Sequence, residues 1–389
     1  MSNLEYRTAG ESHGQGLIAL IEGLPAGVTL DMELANREMA RRQGGYGRGG
    51  RQKIEKDTVN ILSGIRRGRT IGSPLAIQIA NRDWRIDEAP EVSRPRPGHA
   101  DLAGSLKWLT TDCRETLERA SARETAARVA AGAVARSLLI PFGIQCVGFV
   151  TQVGPAVANI PVDASPAELI VARDGNDVYT ADPAAVGPMV GAIRKAKEDK
   201  DTVGGIVEVR VFGCPPGLGS CARYQDRLDG RLLMAIGSIQ AFKGAEIGLG
   251  FGVASRPGSQ VHDEIDFDPG LRDTPCLGFT RRSNNAGGLE GGMTNGQPVV
   301  VRGVMKPIST LLRGLDSVNL ATRQRERSDY ERSDVCAVSA ASVVAENVVA
   351  FEIARALVEK FGGDTLAEIE AAWKFYLGAA RLLGTQEPA

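Results

Sequence analysis

The chain has 389 residues, enough for one large domain or two smaller ones, and its 43% hydrophobic and 24% charged residues exclude disordered and fibrous classes. A net charge of -1 argues against bulk nucleic-acid binding. Six cysteines with no C-x-x-C pair argue against a zinc site and read as reduced thiols, and neither an apolar leader at Met1–Gly10 nor a run of about 18 apolar residues occurs, so the expectation is a cytoplasmic protein that does not span a membrane.

The first strand is predicted over Gly16–Glu22, ending in the turn Gly23-Leu-Pro-Ala-Gly27. A helix fits Asp31–Arg42, and Gln43–Lys53, rich in Gly and Arg without periodicity, reads as a loop. Val59–Ser63 and Leu75–Ile79 are apolar enough for strands. Ser121 and Glu124 fit a capping box that opens an Ala-rich helix to Leu139, stopped by Pro141 and Gly143. Ile144–Val153 reads as a strand, and Thr151–Ala185 as a polar, peripheral stretch. Then follow a helix over Val186–Lys200, a strand over Ile206–Val211, a helix over Leu228–Phe242 and a strand over Val299–Met305. Ala340–Phe361 is a long helix closed by Gly362-Gly363, and Thr365 with Glu368 forms a second capping box for a final helix through Leu383. No repeat, linker or βαβ rhythm divides the chain, and no G-x-G-x-x-G follows a strand, so residues 1–389 read as a single α+β domain rather than a Rossmann fold.

Histidine is rare. His13 and His99 lie in Gly/Pro-rich segments, Gly10-Glu-Ser-His-Gly14 and Arg96-Pro-Gly-His-Ala-Asp101, where acid–base residues are commonly presented. His262 has no such setting and reads as structural. Arginines cluster at Arg41, Arg42, Arg48 and Arg51, at Arg66, Arg67 and Arg69, and at Arg94, Arg96, Arg114, Arg119 and Arg123. A focused basic site in a neutral chain fits a small polyanion, since guanidinium pairs directionally with phosphate and carboxylate. Two other readings stay open: an RNA-binding Arg/Gly segment at Gly44–Arg51, and a solvated loop. The start of the Ser121 helix, flanked by Arg119 and Arg123, is a further candidate phosphate seat.

Gly10-Glu-Ser-His-Gly with Gly23-Leu-Pro-Ala-Gly, Arg96-Pro-Gly-His-Ala-Asp with Glu118-Arg-Ala-Ser-Ala-Arg-Glu, and Arg332-Ser-Asp with Val343-Val-Ala-Glu346 resemble the three signatures of the chorismate synthases. Gln240-Ala-Phe-Lys-Gly, Gly287-Gly-Leu-Glu-Gly-Gly and Lys306-Pro-Ile-Ser-Thr-Leu fit the same family, in order, from Ser12 to about Leu357. The stretch Thr151–Ala185 and the C-terminal tail match least, and after Asp334 stands Val335 where the family often has Pro.

The resemblance implies a β-α-β sandwich, helices packed between antiparallel sheets, assembled as a homotetramer. It implies the last step of the shikimate pathway: an anti-1,4-elimination of phosphate from 5-enolpyruvylshikimate 3-phosphate, giving chorismate, with reduced FMN required and no net redox change. NADPH is a possible reductant. It further implies that His13 is the acid for the departing phosphate, that His99 protonates reduced flavin near N1, and that Asp334 works with flavin N5 in taking the substrate proton. Arg42, Arg48, Arg96 and Arg123 would hold phosphate and carboxylates, Arg42 and Arg48 being also where the family's NADPH contacts fall. FMN contacts would come from Arg119, Ala120, Ser121, Gln240, Ala241, Gly291, Lys306, Pro307, Ile308, Ser309, Thr310 and Arg332. On the residues alone, Asp334 reads equally as a helix cap or an arginine partner. A flavin reductase, or another flavoenzyme acting on a phosphorylated anion, is the alternative activity.

Overall fold

The computed structural model of the chain describes residues 4–50, 55–329, 331 and 334–383. Strict alternation builds the first sheet. In β2 (Gly16–Glu22) Leu17, Ala19 and Ile21 face inward, and in β4 (Leu75–Ala80) Leu75, Ile77 and Ile79 do the same. Their partners are β1 (Glu5–Gly10) and a short β3 (Asn60–Ile61), shrunk from the expected Val59–Ser63. The sheet is antiparallel throughout, in the order β1-β2-β4-β3.

Before the second sheet come α1 (Met32–Gln43), α2 (Asp101–Trp108), α3 (Arg114–Ala120) and α4 (Thr125–Leu139). The second sheet comprises β5 (Gln145–Val153), β6 (Ala156–Val157), β7 (Gly205–Phe212), β8 (Phe242–Ile247) and β9 (Val299–Met305), again antiparallel, in the order β8-β9-β7-β5-β6. Around it lie α5 (Pro166–Asp174), α6 (Val186–Glu198), α7 (Leu228–Gly237), α8 (Val338–Phe361) and α9 (Leu366–Arg381). The fold is α+β.

Helix α4 packs on β2 and β4, α8 packs on β5 and β7, and the two helices pack on each other. Their crossing is close enough to exclude a side chain: a Cβ on Gly132 would stand 2.3 Å from the Asn347 carbonyl oxygen. This explains the alanine-rich sequence of α4. The helical run Arg114–Phe142 is long and apolar enough by composition to cross a membrane, yet most of it is buried in this core.

Several expectations change. The helix predicted to reach Phe242 ends at Gly237, and Phe242 instead opens β8. The stretch Thr151–Ala185 is not merely peripheral: Leu169 of α5 packs with Val147 and Phe149 over the outer face of β5, and Val178 and Thr180 are fully buried. The Thr365–Glu368 capping box forms as read, and an unanticipated one, Ser165–Glu168, opens α5.

A charged knot lies inside the helical layer. Glu346 of α8, wholly buried, meets Arg41 at 3.1 Å, Arg136 at 2.9 Å and Arg173 at 3.1 Å, while Glu38 meets Arg41 at 2.9 Å and Arg136 at 3.2 Å. Burial pushes the Glu346 carboxyl up, but the three guanidinium groups outweigh it and hold it at about 2. Arg41 therefore leaves the anion-binding cluster expected for it, because its neighbour Arg42 projects from α1 about 100° away.

Candidate active site

His13 lies in the turn between β1 and β2. Asn81, just past β4, locks that turn by donating to the carbonyls of Glu11 at 3.1 Å, Ser12 at 3.2 Å and Gly14 at 2.8 Å. From α3, Glu118 accepts the His13 backbone N–H at 2.7 Å and meets ring Nδ1 at 2.9 Å. Burial works to raise the Glu118 carboxyl, but the hydrogen bonds from His13 and the charge of Arg114 leave it below the usual carboxylate range.

Arg123 joins this turn to a buried ion cluster. Its Nε donates to Asn81 Oδ1 at 2.9 Å and its guanidinium pairs with Asp57 at 2.5 Å. Arg42 shares Asp57 at 3.4 Å and donates to Thr125 Oγ1 and the Ala122 carbonyl, each at 3.0 Å. Burial is the strongest influence on Arg42 and pulls its pKa down; Asp57 opposes that pull, while Arg123 and Arg48 add to it. Arg48 pairs with Asp334 at 2.9 Å, and Asp334 also accepts the Gly49 N–H at 2.5 Å. Arg123 Nη2 and Arg48 Nε are buried without a hydrogen-bond acceptor.

A second group surrounds His99. Its Nδ1 contacts Asp101, which Arg96 also holds through Nε at 2.8 Å, and Arg96 reaches Thr310 Oγ1 at 3.0 Å. Burial works to raise the Asp101 carboxyl, but hydrogen bonds from His99 and Arg96 hold it far below its usual value. Lys306 donates to the Gly98 carbonyl, and its backbone N–H donates to Ala241 at 3.0 Å. Burial, with Lys243 nearby, pushes the Lys306 ammonium down. Ser309 lies against Gly98, the Ile308 carbonyl accepts from Thr202, and Pro307 is exposed.

Glu124 ties the two groups together. Its carboxylate accepts from Thr8 at 2.6 Å, Arg128 at 2.9 Å and Gln240 at 2.9 Å, and Arg119 donates to Thr8 and Gly10. Gln240 Oε1 is buried with no donor. Ser121 Oγ donates to Ser12 Oγ at 3.2 Å, and Ala120 is half-buried at the end of α3. Thus His13, His99, Asp334, the four arginines, and the segments 119–121, 240–241 and 306–310 form one connected belt. Gly291 is not brought into it. It sits in a hairpin turn beside Leu228 at the N-terminal end of α7, about 15 Å of helix away from Gln240. Arg332 and Arg51 lie outside the described residues.

Two chemical expectations are corrected. The Ser121–Glu124 capping box does not close, since Glu124 turns to Thr8, Arg128 and Gln240. Nor does the helix start offer a row of free donors: the N–H groups of Arg123, Glu124 and Thr125 go to Ser121 Oγ, Ser121 O and Ala122 O. The cationic groups there are the Arg119 and Arg123 side chains, which donate to Thr8 and Gly10 and to Asn81 and Asp57. The Arg/Gly segment is packed as far as Gly49: Tyr46 N–H bonds Asp177 O at 2.8 Å, a Cβ on Gly47, at φ +89°, would stand 2.8 Å from Ile193, and Gly49 N–H donates to Asp334. His262 is exposed, apart from the belt.

Comparison with known proteins gives the family of the chain. The family model described as chorismate synthase matches residues 4–358. The chain belongs to the chorismate synthase family. A chorismate synthase of Geobacter metallireducens is 52% identical over 97% of this chain and 99% of its own, and that of Enterococcus faecalis is 50% identical over 96% and 98%. A crystal structure of chorismate synthase superposes with a TM-score of 0.79 at 40% identity, covering 98% of this chain and 99% of that one. A flavin reductase is not favoured. Within this chorismate synthase fold, sequence reasoning assigned no role to Glu118, Asp101, Asn81 or Asp57. The first two stand inside quoted motifs, which was a usable signal; Asn81 and Asp57 carried none.

Proposed function

We propose that the chain catalyses the anti-1,4-elimination of phosphate from 5-enolpyruvylshikimate 3-phosphate, giving chorismate, in the presence of reduced FMN. One observation carries the reading: two histidines, each backed by a buried carboxylate, share a belt with four arginines, two of which keep a buried nitrogen without an acceptor. A phosphate or carboxylate oxygen would satisfy those nitrogens, and leaving them unmet is costly.

The residues around Gln240 fit a flavin mononucleotide. Its buried Oε1 can accept an N–H from a heteroaromatic ring, and Arg119, Ser121, Lys306 and Thr310 add polar groups elsewhere in the belt. When bound, reduced flavin supplies the electron density that phosphate departure requires. His13 presents Nε2 to the leaving phosphate oxygen and gives it a proton. Arg48 and Arg123 orient the anionic groups, with Arg42 buried behind them. Asp334, steadied by Arg48 and the Gly49 N–H, takes up the proton released from carbon. His99, turned by Asp101 and Arg96, holds a proton on the flavin side.

The same reading extends to assembly and setting. The packing of α4 and α8 between the two sheets supports a single-domain β-α-β sandwich. Leu102 and Leu106 on α2 and Leu109 just after it, all exposed, support self-association, in keeping with a homotetramer. Six free cysteines support a reducing, cytoplasmic setting. The test is anaerobic turnover with reduced FMN, following chorismate by absorbance; folded, FMN-binding protein that forms no product would overturn the proposal.

A further inference from the structure

The chemistry proposed for His13 leaves unexplained the carboxylate behind its ring. Glu118 is only 2% exposed. Its Oε2 accepts the His13 backbone N–H at 2.7 Å, and Nδ1 stands 2.9 Å from Oε1 and 3.1 Å from Oε2. The Glu118 carbonyl also accepts the Ser12 N–H at 2.9 Å, so α3 grips the turn through backbone and side chain together. One turn earlier, Arg114 stands 3.5 Å from Oε1 and is itself paired with Glu331 at 2.8 Å.

Both carboxylate oxygens therefore accept from His13, with Arg114 a longer second donor to Oε1. An ionised carboxylate can only accept, so ring Nδ1 must carry a proton. Nε2 lies across the ring from this contact, and none of the described residues hydrogen-bonds to it. The His13 side chain keeps 14% exposure.

We propose that Glu118 is the positioning residue of His13: it fixes a proton on Nδ1 and aims Nε2 at the departing phosphate. The inference rests on the reading of His13 as the acid. In the step, the Nε2–H bond breaks and a phosphate O–H bond forms. The ring is left neutral with its remaining proton on Nδ1, the tautomer that Glu118 accepts.

Glu118→Gln separates this role from simple anchoring. The amide has one oxygen for two donors. If that oxygen keeps the backbone N–H, the NH2 faces Nδ1, which must then accept, and the ring proton moves to Nε2. Turning the amide over would strand the backbone donor instead.

The chain has three histidines, so 15N-histidine NMR resolves the ring, with His13→Ala giving the assignment. In the neutral ring, reached by raising the pH until the 15N shifts stop changing, the wild type should carry its proton on Nδ1 and Glu118→Gln should carry it on Nε2. In the FMN-loaded enzyme, kcat of Glu118→Gln should fall roughly 10²-fold, the scale of losing one acid–base group, while substrate KM stays nearly unchanged. Glu118→Asp, which keeps a carboxylate, should retain Nδ1 protonation and recover part of kcat, and it decides the matter if the glutamine variant does not fold.

Wild-type kcat in Glu118→Gln, with His13→Ala inactive, overturns the positioning role alone. Wild-type turnover in His13→Ala overturns the reading of His13 as the acid, and the positioning role with it. An aspartate variant that recovers neither Nδ1 protonation nor turnover also refutes the proposal.

Discussion

Replacing Glu346 by Gln tests the physical account of the core. The carboxylate is wholly buried and meets Arg41, Arg136 and Arg173 at 2.9–3.1 Å. Gln keeps the volume and removes the charge, leaving three guanidinium groups to Glu38 and the half-exposed Asp174. The fall of the Glu346 carboxyl from 4.5 to about 2 corresponds to on the order of 3 kcal/mol, at about 1.4 kcal/mol per pH unit. Breaking a buried ion pair by removing one partner costs about 3–5 kcal/mol, the same range. The sign follows from linkage: a carboxyl lowered on folding adds stability above its unfolded pKa and loses it as the pH falls through the folded one. Wild type should therefore exceed Glu346→Gln by several kcal/mol at neutral pH. That gap should close as the pH drops from about 4.5 toward about 2. Urea unfolding followed by far-UV circular dichroism, at one protein concentration, measures the difference. A neutral-pH gap within about 0.5 kcal/mol, the scale of an ordinary surface substitution, would refute the reasoning.

Other outcomes follow from the belt. Arg48→Ala, which frees Asp334 and removes an unsatisfied buried nitrogen, should raise substrate KM by about tenfold or more while leaving the fold intact, and unchanged substrate affinity in the presence of FMN would contradict the assignment. His13→Ala and His99→Ala should each lose about 10²–10⁴ of turnover, with exposed His262→Ala near wild type, as steady-state kinetics will show. Gly47→Ala forces a Cβ to 2.8 Å from Ile193 at a positive φ, so urea unfolding should show a loss of about 1–3 kcal/mol.

Legibility in the sequence tracks the range of the interactions involved. Strand β2 was readable to the residue because its apolar run, Leu17–Ile21, ends at the turn Gly23–Gly27, and α9 was readable because its capping box is local. Strand β1 was missed because its pattern has no buried position, so no apolar alternation marks it. Strand β8 was missed, its first residue taken as the end of the preceding helix, because only Phe242 in it is buried. Helix α2 was missed because it turns Leu102 and Leu106 outward. In the site, the histidines and arginines were visible through loop composition and motif. Their partners were not: Glu118 lies 105 residues from His13, and Asp57 serves Arg123 from 66 residues away. Local periodicity carries no trace of such pairings, and the near-zero net charge was their faint signature, since each of the four arginines has its own aspartate or shares one.

The most direct measurement follows chorismate, inorganic phosphate and flavin absorbance together in one anaerobic cuvette. Substrate should yield chorismate and phosphate in equal amounts while the FMN stays reduced, because elimination consumes no electrons overall. Flavin oxidised in step with product would point instead to a redox flavoenzyme, and absence of product from folded, FMN-loaded protein would contradict the account outright.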